Sequence, residues 1–114
     1  LEDWDTKYQE NSQQSKNLSK QAPAVMQKFS ELHAAVDQDG AVSRKNKELI
    51  ALGIAIADRC ENCIMAHTKA AINLGVSLEE ITETIEVAVL MGGGPSVAFG
   101  GKVLNIAESL LAKK

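Results

Sequence analysis

Aromatic side chains are scarce in this sequence: one Trp, one Tyr and two Phe stand among 114 residues, although 45% of the chain is hydrophobic. A core must then be built from Ala, Val, Ile, Leu and Met, a composition that favours packed helices. Concentrated positive charge is also missing. Twelve Lys and Arg face fifteen acids for a net charge of −3, and the densest basic stretch is Arg44-Lys45-x-Lys47. That argues against a nucleic-acid or anionic-membrane surface. The longest mainly apolar run, Leu49 to Ala57, falls far short of the roughly 20 residues a bilayer span needs, and no segment reads as a signal peptide. A soluble, cytoplasmic protein with no nucleic-acid and no membrane partner is expected. The length suits one domain with one core.

Strand-like alternation, hairpin turn signals, internal repeats and low-complexity tracts are absent too. What is present has helical spacing. Residues 1–20 are polar, with Trp4, Tyr8 and Leu18 offering a narrow sticky side, and predict a short N-terminal arm, possibly helical, that docks on a neighbour. The main helical domain is expected over 21–114. From Pro23, a good first-turn residue, Val25, Met26, Phe29, Leu32, Ala35 and Val36 recur at three and four and stop at Asp37-Gln38-Asp39-Gly40. Ser43 can cap the next helix, whose apolar middle around Leu49–Ala57 predicts burial on most sides. After a break near Asp58 to Cys60, a helix from about Glu61 to Leu74 is closed by Gly75. Ser77-Leu78-Glu79-Glu80 forms a capping box, and Gly92-Gly93-Gly94-Pro95 separates that helix from a last one bearing Phe99, Val103, Ile106 and Leu110. The fold class is all-α, with five or six helices.

The chain has just two cysteines, in Cys60-Glu61-Asn62-Cys63. A bridge between them would close a minimal loop, so it would add little stability by restricting the unfolded chain. Redox chemistry explains the pair better, because the free N–H groups and the dipole at a helix start favour the thiolate, the reactive form in disulfide exchange and in attack on peroxide. Two ordinary buried thiols remain an alternative. So does zinc held by Cys60, Cys63 and His67, although a fourth ligand is missing and His33 is the only other histidine.

His67 follows Cys63 by four residues, which puts the imidazole on the same helix face as that sulfur. Glu48 lies twelve residues before Cys60. If the chain turns back near 58–60, the two helices form an antiparallel hairpin with the Cys-x-x-Cys at the start of its second, central helix. At roughly 1.5 Å per residue, Glu48 then lies about one turn beyond the level of His67, within reach directly or through a water.

The spaced set Glu48, Cys60, Cys63 and His67, with Met91-Gly92-Gly93-Gly94-Pro95 before the final helix, resembles the signature of the alkyl hydroperoxidase D and carboxymuconolactone decarboxylase-like superfamily over residues 22–111. The resemblance implies an all-α fold assembling as a homo-oligomer, trimer or hexamer. It implies a thiol-dependent peroxidase in which Cys63 attacks a hydroperoxide and Cys60 resolves the sulfenic acid. His67 and Glu48 would relay protons, and a dithiol or thioredoxin-like reductant would reopen the bridge, with no metal, flavin, haem or other cofactor. Studied peroxidases of this kind carry a histidine where this chain has Asn62, which can support the site by hydrogen bonding but cannot carry a proton at neutral pH. A decarboxylase would need cations for a carboxylated lactone, and Arg44 and Arg59 are the only arginines. A redox-sensing module without turnover is the non-enzymatic alternative.

Overall fold

A computed structural model describes residues 2–113, and among them the chain forms six α-helices and no strand. By its internal contacts the chain divides at Arg44–Lys45 into two units.

The first unit holds α1 (Trp4–Gln21) and α2 (Pro23–Val36), which pack on each other. Asp3 caps α1 by accepting the Thr6 N–H at 3.2 Å, satisfying one of the amides a helix start leaves unpaired. Trp4 is buried and Tyr8 half-buried, and desolvation pushes the Tyr8 hydroxyl up to about 12. Leu18 is exposed, so the sticky side expected of this segment is confined to its N-terminal turns. Ala22 ends α1 and precedes Pro23, which takes the first position of α2, where a missing N–H costs nothing. The helix stops before Asp37, as its sequence predicts, and the Asp37 carboxylate accepts two bonds from the Arg44 guanidinium, at 2.9 and 3.1 Å. No residue of α2 is buried, and Val25, Phe29, Leu32 and Val36 are each more than half exposed.

The second unit comprises α3 (Arg44–Ala57) from Lys45 onward, α4 (Glu61–Asn73), α5 (Leu78–Gly92) and α6 (Gly94–Leu111). Helix α6 packs against both α4 and α5. Leu52, Ile56, Ile64, Met65, Ile81 and Ile106 are completely buried there, each burial stabilising by about 1.5–3 kcal/mol. At the end of α4 the Gly75 N–H bonds the Ile72 carbonyl and the Val76 N–H that of Ala71, both at 3.0 Å. This closure needs a left-handed residue, and Gly75 supplies it with φ +85°. Ser77 and Glu80 make both bonds of the expected capping box. The Ser77 N–H, and after it the Lys45 ammonium at 2.9 Å, hold the Glu80 carboxyl below the usual carboxylate range.

Helix α3 departs from expectation. Leu52, Ala55 and Ile56 are buried, but Ile50 and Ile54 are 55% and 57% exposed. An apolar surface runs nearly all round this helix, whereas only one flank meets a tight core within the chain. Its other flank and α5 border an open groove of about 420 Å³, lined by residues that include Ile50, Gly53, Ile54, Val87 and Met91. The one hydroxyl there, on Thr84, donates to the Glu80 carbonyl at 2.9 Å, so the groove presents the threonine methyl instead.

Close approach of α5 and α6 depends on Gly100. A Cβ at that position would lie 2.5 Å from Ile85 Cγ2, a branched side chain with little room to yield. Gly100→Ala is therefore expected to lower stability in urea denaturation by about 1–3 kcal/mol. Gly101→Ala, where the added carbon meets open space, should be neutral or stabilising by up to about 1 kcal/mol. Equal effects at the two positions would contradict this packing.

Candidate active site

The site begins at the turn that ends α3. The Arg59 N–H bonds the Ile56 carbonyl at 3.1 Å and the Cys60 N–H the Ala55 carbonyl at 3.2 Å. It is the same closure that Gly75 makes at the end of α4, but here the left-handed residue is Arg59, at φ +56°. A non-glycine residue in that region costs roughly 1–2 kcal/mol. Cys60 itself is extended, at φ −106° and ψ 102°, and forms the N-cap of α4, its Sγ accepting the Cys63 N–H at 3.2 Å. One residue thus completes one helix and starts the next.

Cys60 and Cys63 are joined as a disulfide with their Cα atoms 5.2 Å apart, and both are half-buried. The sulfur of Cys60 sits against the amide end of α4. On reduction, that N–H and the helix dipole would stabilise a thiolate there.

His67, half-buried one turn beyond Cys63, is met by Glu48 from α3. Imidazole Nδ1 and carboxylate Oε2 are 2.7 Å apart, and the Glu48 side chain is only 7% exposed. The contact crosses the reversal made by α3 and α4, as the spacing predicts, and it is direct. The length of the two side chains closes the one-turn offset that counting residues leaves between them. A buried carboxylate needs donors to offset its lost hydration. With Nδ1–H donated to Glu48, the imidazole takes the tautomer whose Nε2 bears the lone pair, the form that can accept a proton. Asn62 is exposed on the first turn of α4.

One contact of Glu61, the residue between the cysteines on the first turn of α4, has no signal in the sequence. Lys102 Nζ, from α6, lies 3.0 Å from Glu61 Oε2 and 5.0 Å from the centroid of the Phe99 ring. The partners are 41 positions apart, and no local spacing signals such a pair. Among the described residues no three His, Cys, Asp or Glu side chains are grouped to hold a metal ion. His33, the only other histidine, lies on α2 in the first unit. No helix among the described residues is long and apolar enough to cross a membrane.

Among the described residues the chain is all-α, with a Cys-x-x-Cys disulfide at the start of α4 and a Glu–His contact one turn further along that helix. The chain belongs to the carboxymuconolactone decarboxylase family, whose model matches residues 23–107 and so leaves α1 outside the match. It is similar to an uncharacterized protein of Cupriavidus necator, at 32% identity over 96% of this chain and 97% of the relative. A protein of the cox locus of Paracoccus denitrificans, also uncharacterized, is 33% identical over 81% of this chain and 83% of its own length. Among solved structures, a carboxymuconolactone decarboxylase family protein of Legionella pneumophila superposes with a TM-score of 0.85 at 38% identity, covering 89% of this chain and 90% of the other. A Thermotoga maritima protein of the same family, for which a part in the antioxidative response has been suggested, gives 0.83 at 26% identity over 93% and 91%.

Removal of the buried acceptor gives a direct check of the Glu48–His67 contact. Glu48→Ala is expected to cost about 1–3 kcal/mol in urea denaturation, because it strands a half-buried imidazole N–H. Glu48→Gln keeps an acceptor at the same position and should cost less than half as much. The reverse order would show that the carboxylate does not serve as that acceptor.

Proposed function

We propose that the protein is a thiol-dependent peroxidase that reduces hydroperoxides through a Cys60/Cys63 dithiol–disulfide cycle. The observation that carries this reading is the 2.7 Å Glu48–His67 contact, which sets a proton-accepting imidazole one turn from Cys63, on the helix that begins at the disulfide. In the cycle, His67 takes the Cys63 thiol proton and the thiolate attacks the terminal peroxide oxygen. The O–O bond breaks, Cys63 becomes the sulfenic acid, and the departing alkoxide takes the proton back to leave as an alcohol. Cys60, whose thiolate is favoured by the Cys63 N–H, gives its proton to His67 and attacks the sulfenic sulfur; the S–O bond breaks, and the hydroxide takes that proton to leave as water, forming the disulfide. An external dithiol or thioredoxin-like protein then supplies two electrons and two protons to reopen it. Glu48 holds the imidazole in its tautomer and balances its charge while it is protonated. Asn62 supports the site without taking part in proton transfer. No metal, flavin or haem enters the cycle, and the cytoplasm, which keeps thiol reductants, suits it. The antioxidative role suggested for the Thermotoga relative supports the same reading.

Purified protein with a dithiol reductant should consume an organic hydroperoxide. Cys63→Ser should abolish this, Cys60→Ser should leave a sulfenic acid trappable by dimedone, and His67→Ala should slow turnover by about a hundredfold. Equal consumption by wild type and Cys63→Ser would defeat the proposal. A reversible disulfide without any peroxide consumption would favour the redox-sensing module.

We further propose that the protein works as a homo-oligomer, trimer or hexamer. The support is the open apolar groove bordered by Ile50, Ile54, Val87 and Met91, each more than half exposed, a contiguous apolar surface of the kind that contacts between subunits cover. Light scattering should give a mass of three or six chains for the wild type and a smaller mass for Ile54→Asp. A wild-type monomer would refute the assembly.

A further inference from the structure

Glu61 stands between the two cysteines, at the first position of α4. A carboxylate there suits the helix dipole but opposes a second negative charge on either sulfur. The charged groups of the turn itself are Asp58, Arg59 and Glu61; along the elements beside it come His67 and Lys69 on α4, Glu48 with Lys45 and Lys47 on α3, and Lys102 and Glu108 on α6. Lys102 reaches Glu61 at 3.0 Å, and its side chain is 41% exposed against 26% for the glutamate. The Phe99 ring beneath the ammonium, one turn earlier on α6, helps to hold it there. The lysine therefore comes from a different helix than the cysteines, and its position is fixed by the α4–α6 packing.

We propose that Lys102 is a positioning residue for the dithiol: by neutralising Glu61 it keeps the Cys60/Cys63 pair easier to ionise and its disulfide easier to reduce. The inference rests on the redox reading of the pair but not on peroxide as its substrate. In the exchange concerned, a small thiol attacks the protein disulfide, a mixed disulfide forms, and a second thiol releases the protein dithiol while the small thiols leave as their own disulfide. A cation that offsets Glu61 stabilises the thiolate side of this exchange. Because both groups are partly exposed, solvent screens the effect and it should be modest.

The test is to equilibrate the folded protein with a glutathione redox buffer, at a pH where one protein thiol is ionised, and to titrate the thiolate by its ultraviolet absorbance. Lys102→Met should shift the exchange toward the disulfide by roughly three- to tenfold, tenfold corresponding to about 30 mV, and should raise the thiol titration midpoint. Glu61→Gln, which keeps the lysine, should shift both in the opposite direction. The double variant should return to within about twofold of wild type, and Lys102→Arg should match wild type, because what matters is the charge balance. If Lys102→Met and the double variant shift equally, or if Glu61→Gln changes nothing, the inference is wrong and the pair only packs. Should Lys102→Met fail to fold, Glu61→Gln alone still decides. No peroxide is present in the assay, so a shifted equilibrium in a protein without peroxidase turnover would sink the peroxidase reading and leave this one standing.

Discussion

Cys60 belongs to two helices at once, and the rest of the site depends on that. Its N–H completes the closure of α3 by bonding Ala55, and its sulfur opens α4 by accepting from Cys63. Each of the three residues between the helices, Asp58, Arg59 and Cys60, donates its N–H to a carbonyl of α3, so the direction in which α4 leaves α3 is set by backbone hydrogen bonds. That direction brings His67 back to Glu48. The left-handed Arg59 is the local cost of making so short a reversal, and the bonds on either side of it offset that cost.

The second constraint is electrostatic. Glu48 is buried and would be a poor choice for that place on packing grounds alone. Its contact with His67 makes it tenable and at the same time fixes the imidazole. Glu61 and Lys102 repeat the arrangement nearer the surface, where water makes the contact weaker and easier to alter.

Much of this could be read along the chain because it is local. The Pro23 start, the Gly75 stop, the Ser77–Glu80 capping box and the Cys-x-x-Cys at a helix start are each written within four or five residues. The Glu48–His67 contact was within reach because a single turn separates its helices. The exposed flank of α3 was not, since an apolar run shows what a helix can bury and not how much of it this chain covers. Arg59 gave no sign of its left-handed backbone, which glycine or asparagine would have signalled. Lys102 joins Glu61 only through the packing of α6 on α4, which no spacing encodes.

Gly100 lies two residues before Lys102 on the same helix, at the notch where α6 comes closest to Ile85 of α5. Helices are stiff over so short a distance, so the depth of that notch and the reach of the ammonium are not independent. Filling the notch would tilt the helix like a beam lifted at one support and carry the charge with it. If Lys102 tunes the sulfurs as proposed, their electrostatic setting is geared to a single methyl group that Gly100 leaves out of the core.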